Sequence, residues 1–424
     1  MPKSLKIRRF KTQDKDIRNS TLIQLFMPAL SQELWAQINE KVPGTDAYSK
    51  KLNTVQLFEL LIHAELTQCK SLREISLNLN KDEFAQSIHL DSISASQISR
   101  RLRDLPIDVA QILFNSMTHK ISLETGLKRL QNSLGRLYLI DSTTISLCFS
   151  QYLWADFRKT KSGVKVHLRL KFDGESNPDK AIITPARPAD KSQMDALVVE
   201  EEDALNVFDR AYIDYKKFDT YCEKGIRFTS RLKENAIVEV IEEHPVSPKS
   251  HIKNDQKVRL GKEGTTKMKF ELRLVTTEDL DGDPIMIVTN DFQLSAEEIG
   301  DIYRYRWKIE LFFKWIKQHL QIKHLYSKAK SGVENQIFTA LVTYCLLQLV
   351  KLKTGYQGSL LTIKRLIIAC LYESFTTFVW KLHGKQKRAS KGRRKIDHEQ
   401  IYQETLQQLM SSDFVDLFFS CEIL

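Results

Sequence analysis

Between residues 136 and 232 the apolar residues fall in an order that few folds can accommodate. RLYLIDSTTISL, starting at Arg136, is a β-type run rich in branched side chains, with Asp141 directly after its apolar stretch. VKVHLRLKF (residues 164–172) alternates strictly, the pattern of a half-buried strand. Asp173 and Gly174 make a turn, and KAIITPA (residues 180–186) supplies a third strand. The short spacing makes these three an antiparallel meander. Residues 192–204 then read as a helix and LNVFDRAY as a strand with Asp209 near its end. Residues 215–224 read as a second helix and IRFTSRL (226–232) as a fifth strand.

A meander followed by helix, strand, helix and strand is the order of an RNase H-like α/β domain, a mixed five-stranded sheet with helices. Such a sheet sets acidic residues of its first and fourth strands side by side. The texture changes on either side of this block. Residues 1–130 read as a helical DNA-binding region. Apolar residues recur at helical spacing over 54–65, and Ser caps open short helices at 71–79 and 94–105. The last of these, SASQISRRLRDL, carries Arg100 and Arg101 on a short basic helix, the pattern of a helix-turn-helix reader; the alternative is a solvated bundle surface. Residues 131–231 form the first part of the core. Residues 232–291 read as a β-rich insertion of four strands separated by Pro, Gly, Asn and Asp turns. Residues 292–350 return to the core, entered by a helix capped at Ser295. Residues 351–424 are helical, interrupted by the basic arm GKQKRASKGRRK (384–395), suited to non-specific phosphate binding. The fold expected is multidomain α/β, an RNase H-like core interrupted by a β-rich insertion between helical terminal regions.

One stretch in the second core segment carries most of the chemistry. IYRYRWKIELFFKWIKQHL (302–320) has no Pro or Gly and reads as one continuous helix. At about 100° per residue, Tyr303, Arg306, Glu310 and Lys317 share an arc of roughly 60°, flanked by Trp307 and Lys314. A stripe of cations and aromatics around one carboxylate is the composition that holds a phosphate backbone beside a reacting group; the alternative is a solvated charged face.

The net charge of +11 points to a polyanionic partner, most simply nucleic acid. The six cysteines are scattered without a CxxC pair, which argues against zinc and disulfides and fits a reducing cytosol. MPKSLKIRRFKTQDK has no apolar run after its positive charges, so no secretory signal is expected. The most apolar run, 337–350, is too short to span a bilayer and reads as a buried helix, so no membrane partner is expected.

Asp141, Asp209 and Glu310 are the candidate catalytic and metal-binding residues. Two lie at strand ends and one on a helix packed against the same sheet, so distant positions can converge. Carboxylate oxygens suit hard cations such as Mg²⁺, and a two-metal site activates a nucleophile and stabilises the leaving oxygen in phosphoryl transfer. The helix matches the Y-x2-R-x3-E-x6-K pattern through Tyr303, Arg306, Glu310 and Lys317, while LIDSTTI and DRAY bracket Asp141 and Asp209, followed by FTSRLKENA. In these segments, over most of residues 50–350, the chain resembles the insertion-sequence-4 family of DDE transposases. The N-terminal portion also looks like the helical module found on such transposases.

The resemblance implies cut-and-paste DNA transposition. It assigns Asp141, Asp209 and Glu310 to two Mg²⁺ ions, with Mn²⁺ as a substitute. Tyr303, Arg306 and Lys317, assisted by Trp307 and Lys314, would hold DNA phosphates. Arg231 is assigned to DNA or to a structural ion pair. Lys165 and His167 are assigned to the neighbouring groove rather than to metal. DRAY has Ala211 where the family often has Gly. Family members that form a hairpin stack a flipped base on a Trp in the insertion, but the tryptophans here are Trp35, Trp154, Trp307, Trp315 and Trp380, leaving Phe270 or Phe292 for that role. The partners implied are transposon ends and target DNA, with a homodimer in the synaptic complex at the bacterial nucleoid in the cytoplasm. A nuclease of the same fold without strand transfer, or a DNA-binding protein that has lost catalysis, are the competing readings.

Overall fold

The first residues that the structure describes already show the local rules at work: Ser20, Asn53, Ser71 and Ser94 each cap a helix by accepting a backbone N–H, and Asn53 and Ser94 complete capping boxes with Gln56 and Gln97. The structure is a computed structural model that describes residues 19–47, 49–126, 135–247, 250–278, 282–384 and 403. The basic opening segment and the arm beyond Gly384 lie outside them. Apart from the last residue of the final helix, the elements below belong to a unit that ends at Leu382.

Seven helices come first: α1 (Thr21–Phe26), α2 (Gln32–Lys41), α3 (Thr54–Thr67), α4 (Leu72–Leu77), α5 (Asp82–Ser87), α6 (Ala95–Asp104) and α7 (Ile107–Thr125). The sheet follows with β1 (Arg136–Leu147), β2 (Asp156–Arg158), β3 (Lys161–Phe172), β4 (Ser176–Pro185), the short α8 (Met194–Leu197), β5 (Ala204–Phe208), α9 (Tyr215–Lys224) and β6 (Arg227–Arg231). Then come β7 (Val238–His244), β8 (Ile252–Leu260), β9 (Leu272–Glu278) and β10 (Pro284–Thr289). The chain continues through α10 (Ala296–Tyr305), α11 (Trp307–His319), α12 (Lys330–Thr354), α13 (Leu360–Ala369) and α14 (Phe375–His383).

β3 pairs antiparallel with β1 and β4, and β5 runs parallel to both β1 and β6. The first and fourth expected strands, β1 and β5, are therefore neighbours. The inserted strands extend the same sheet: β10 pairs antiparallel with β6, and the strands continue in the order β6-β10-β9-β8-β7. The five-stranded sheet is thus part of a ten-stranded one. One face buries Leu139, Val166, Leu168 and Val207 against the terminal helices and α10–α12; the other buries Ile140, Phe208, Phe228 and Val288 beneath α8 and α9. With both faces covered, β3 is buried along most of its length, contrary to the half-buried strand that its alternation predicts. The N-terminal helices likewise share their core with the sheet and with α12, rather than forming a core of their own.

Three further expectations need correction. The helix predicted over 192–204 is a 3-10 turn plus the one-turn α8. The buried Asn206 side chain accepts from Val199 N–H at 2.9 Å and donates to Val199 O at 3.0 Å, holding the preceding chain extended. The helix predicted over 302–320 breaks at Arg306, where the N–H donates to Tyr303 O, three residues back, at 3.1 Å. Finally, the apolar run at 337–350 belongs to a 25-residue helix, α12, long and apolar enough to cross a membrane by length and composition. Here most of it is buried within the protein, packed on α3, α6, α7 and α13.

Candidate active site

In the parallel register of β1 and β5, Ile140 lies beside Phe208. Asp141 follows within β1, opposite Leu168 of β3 and so in mid-strand rather than at the expected strand end, while Asp209 follows the end of β5; the two acids lie side by side where the pairing of β1 with β5 stops. Helix α11 carries the third acid, and Arg306 at its start joins that acid to Asp141. Arg306 is mostly buried; its Nη1 lies 3.5 Å from Asp141 Oδ2 and its Nη2 donates to Glu310 Oε1 at 2.7 Å. Its guanidinium also sits over the Tyr303 ring, 5.7 Å from the centroid. One turn of helix separates Arg306 from Glu310, so a single planar fork spans the strand carboxylate and the helix carboxylate.

Electrostatics follow from this crowding. Burial, chiefly, pushes the Asp141 carboxyl up to about 7; the Ser142 N–H (2.7 Å) and Arg306 oppose the rise, while Asp209 and Glu310 add to it. Burial works against the charge on Arg306, but Tyr303, Glu310 and Asp209 outweigh it and raise the guanidinium above its usual range. Burial holds the Tyr303 hydroxyl up to about 12, against the opposing pull of the Arg306 guanidinium.

Further along α11, Lys317 donates to Thr143 Oγ1 and, at 3.3 Å, to Thr144 O, tying the helix to β1; burial and the nearby Lys323 lower its pKa. An open cleft of about 500 Å³ follows the seam between β1 and α11, with Asp141, Glu310, Lys314, Lys317 and Lys323 in its walls. Lys314 is exposed there, and Trp307, at 57% exposed, stands beside Glu310 on α11. Arg231 ends β6 and its charge reaches Tyr303.

Other expected residues lie elsewhere. Arg101 is not a free DNA contact: it pairs with Asp46 at 2.6 Å and donates to Thr45 O and Thr54 Oγ1, clamping α6 to the start of α3. Arg100, on the same helix, is exposed. Lys165 and His167 do not line a groove. They are buried, with Lys165 on Asp190 at 3.0 Å and His167 Nε2 on Thr184 Oγ1 at 3.0 Å, and Asp190 also accepts from Ser142 Oγ at 2.7 Å. Phe292 is exposed, but it follows Asp291, which pairs with Arg227 at the opposite end of β6 from Arg231. Phe270 lies towards that same far edge, its N–H on Asp219. Neither ring is on the edge that carries the acids. Lys323 and Asp190 were missed because neither belongs to a motif; only the fold brings them to the site.

A family model for the transposase DDE domain matches residues 132–346, about half of the chain, and a second, described only as a domain of unknown function, matches 18–86. The chain belongs to the DDE transposase family. Asp141, Asp209 and Glu310 of this DDE family member all fall within the matched segment. It is 28% identical over 78% of its length to a protein of Geobacillus stearothermophilus named as a transposase for insertion sequence element IS5377, covering 85% of that relative. A transposase of Sinorhizobium fredii, y4zB, is 32% identical over 56% of this chain and 67% of its own. A third, from Synechocystis and named for element IS4SA, is 24% identical over 68% of this chain and 81% of its own, in keeping with the resemblance read from the motifs. Among solved structures, a piggyBac transposase synaptic complex with hairpin DNA aligns over 93% of this chain and 85% of that one, at 12% identity and a TM-score of 0.41.

Among the described residues, no three His, Cys, Asp or Glu side chains close around a point as a ready metal cage. The donors nonetheless suit a hard divalent cation. They are two carboxylates on adjoining strands, one in mid-β1 and one just past β5, plus Glu310, which Arg306 links to Asp141.

Proposed function

We propose that this protein is a DNA transposase that cleaves the ends of its element and joins them to target DNA in a Mg²⁺-dependent reaction, on an RNase H-like core. The observation that carries the reading is the convergence of Asp141 and Asp209 on adjacent parallel strands with Glu310, which Arg306 links to Asp141. The neighbour order β4-β3-β1-β5-β6 supports the core assignment. Asp141, Asp209 and Glu310 would hold Mg²⁺ (or Mn²⁺), two ions in the full site. Bound there, the metal supplies charge stabilisation for an in-line displacement at phosphorus and a nucleophile from water or a 3′-hydroxyl.

The chain's own residues perform the rest. Arg306 keeps the acids apart from one another's charge and orients Glu310. Lys317 locks α11 along β1, so Glu310 stays in register with Asp141. Lys314 and Trp307, both exposed beside the cleft, are placed to meet the phosphate backbone and an unstacked base. The protein would act as a homodimer on two transposon ends, in the bacterial cytoplasm at the nucleoid. The helical N-terminal region, the β insertion and the helical C-terminal region would be its accessory segments.

The test is strand transfer. A pre-cleaved duplex end, taken from the DNA flanking the reading frame, is incubated with plasmid, protein and Mg²⁺. Covalent joining is expected. Hydrolysis without a joined product would instead support a nuclease of the same fold. Binding with neither reaction would support a protein that has lost catalysis.

A further inference from the structure

The two cations that the motif assigns to phosphate, Arg306 and Lys317, are spent inside the protein, one on two carboxylates and the other on the backbone and a hydroxyl of β1. The cleft wall holds another cation, Lys323, that no motif marks. It is exposed, lines the cleft with Asp141 and Glu310, and has no acidic partner among the described residues. Its charge is felt at Lys317.

The backbone that presents it is tied down with unusual completeness. Lys323 lies on the connection between α11 and α12, two residues after Gln321. Gln321 N–H donates to the buried Glu65 Oε2 at 2.6 Å, and its side chain donates to Gln68 O at 2.8 Å and Cys69 O at 2.9 Å. Gln336, buried on α12, donates to Gln321 O at 2.6 Å and His324 O at 2.9 Å, bracketing Lys323 on both sides. Tyr326 OH closes the set on Cys69 O at 2.6 Å. Glu65, Gln68 and Cys69 all belong to the 18–86 segment that matches a domain of unknown function. A loop pinned at Gln321, His324 and Tyr326 holds Lys323 between fixed points, and such support is what a phosphate-holding side chain on a loop requires.

We propose that Lys323 holds a phosphate of the DNA strand in the catalytic cleft, and that the N-terminal helices act as its positioning element through the Glu65–Gln321 junction. The inference rests on the transposase reading of that cleft. Lys323 would be the substrate-touching group, and Glu65 and Gln321 positioning residues.

The experiment uses the full chain with a short fluorescent duplex from the flanking DNA, measuring binding across a salt series together with Mg²⁺-dependent nicking. Lys323→Ala is expected to weaken binding several-fold and reduce the slope of log affinity against log salt by about one, raising KM more than it lowers kcat. Lys323→Arg restores the slope. Glu65→Gln, which keeps an acceptor for Gln321 N–H, behaves as wild type. Glu65→Leu weakens binding, and the double variant Glu65→Leu/Lys323→Ala loses no more in total than Lys323→Ala alone. Should Glu65→Leu not fold, Gln321→Ala takes its place in the cycle. An unchanged slope in Lys323→Ala, or additive losses in the double variant, overturns the proposal. Failure of the transposase reading shows separately, as wild-type protein that binds this duplex but neither nicks nor joins it; the salt slope still reports on Lys323 in that case.

Discussion

Glu310 and Arg306 divide the work at the site. If Glu310 is a metal ligand, Glu310→Gln should lower Mg²⁺-dependent cleavage by more than about 100-fold while end binding stays near wild type, since the amide keeps the shape but not the charge. Cleavage assays beside gel-shift titrations separate the two effects, and normal cleavage by this variant would refute the assignment. Arg306→Lys tests the fork. An ammonium cannot span Asp141 and Glu310 in one plane, so the metal-free variant should lose about 1–2 kcal/mol of stability. Urea titration with and without Mg²⁺ measures this, and the deficit should shrink when Mg²⁺ supplies the missing positive charge.

Among elements, the link between α8 and β5 depends on a side chain rather than on helix propensity. Asn206 is fully buried and bonds Val199 through both its amide atoms, with a further bond to Arg227 O at 3.1 Å. Asn206→Ala should therefore cost about 2 kcal/mol, as buried backbone groups lose their partners. The expected readout is a lower urea midpoint with an unchanged slope. β5 carries Asp209 at its end, so activity should fall with it. The insertion is secured in a comparable way: the buried Arg273 of β9 pairs with Asp255 of β8 at 2.7 Å and donates to Leu294 O just before α10. Strands remote from the acids thereby steady the start of the helix pair that delivers Glu310.

For the molecule as a whole, the N-terminal helices bury ionisable groups that couple stability to pH. Burial raises Glu59 from 4.5 to about 8, and raises Glu65 to about 8 against the Gln321 N–H and Lys364. A carboxyl whose folded pKa is raised keeps a proton that the unfolded chain releases, so its penalty is absent below about pH 4.5 and complete above about pH 8. Burial lowers His63 to about 4, which penalises the fold at acid pH and fades as pH approaches 6.5. Between pH 6.5 and 8 only the carboxyls of this set contribute, so stability should fall with rising pH. Glu59→Gln should flatten that fall by roughly 1 kcal/mol per pH unit, measured by urea unfolding at several pH values in the presence of Mg²⁺. An unchanged pH profile would mean that Glu59 stays ionised in the fold.

Much of this protein was legible in its residues because the signals are local. Alternation and helical spacing placed β1, β5, α3, α9 and the four insertion strands, and Ser caps marked where α4, α6 and α10 begin. The spacing of Tyr303, Arg306, Glu310 and Lys317, with Asp141 and Asp209, was enough to name the family that the comparisons bear out. The tertiary structure decided what depends on partners far away in sequence. Asn206 overrode a helical stretch, a helix that contains no Pro or Gly was interrupted at Arg306, and β10 joined the insertion to β6. Arg101 looked like a DNA contact until Asp46 claimed it. Lys323, invisible to any motif, reached the cleft because Glu65 and Gln336 hold its loop. Periodicity reports which way a side chain faces on its own element; it carries no record of the charge, amide or strand edge that another element brings to meet it.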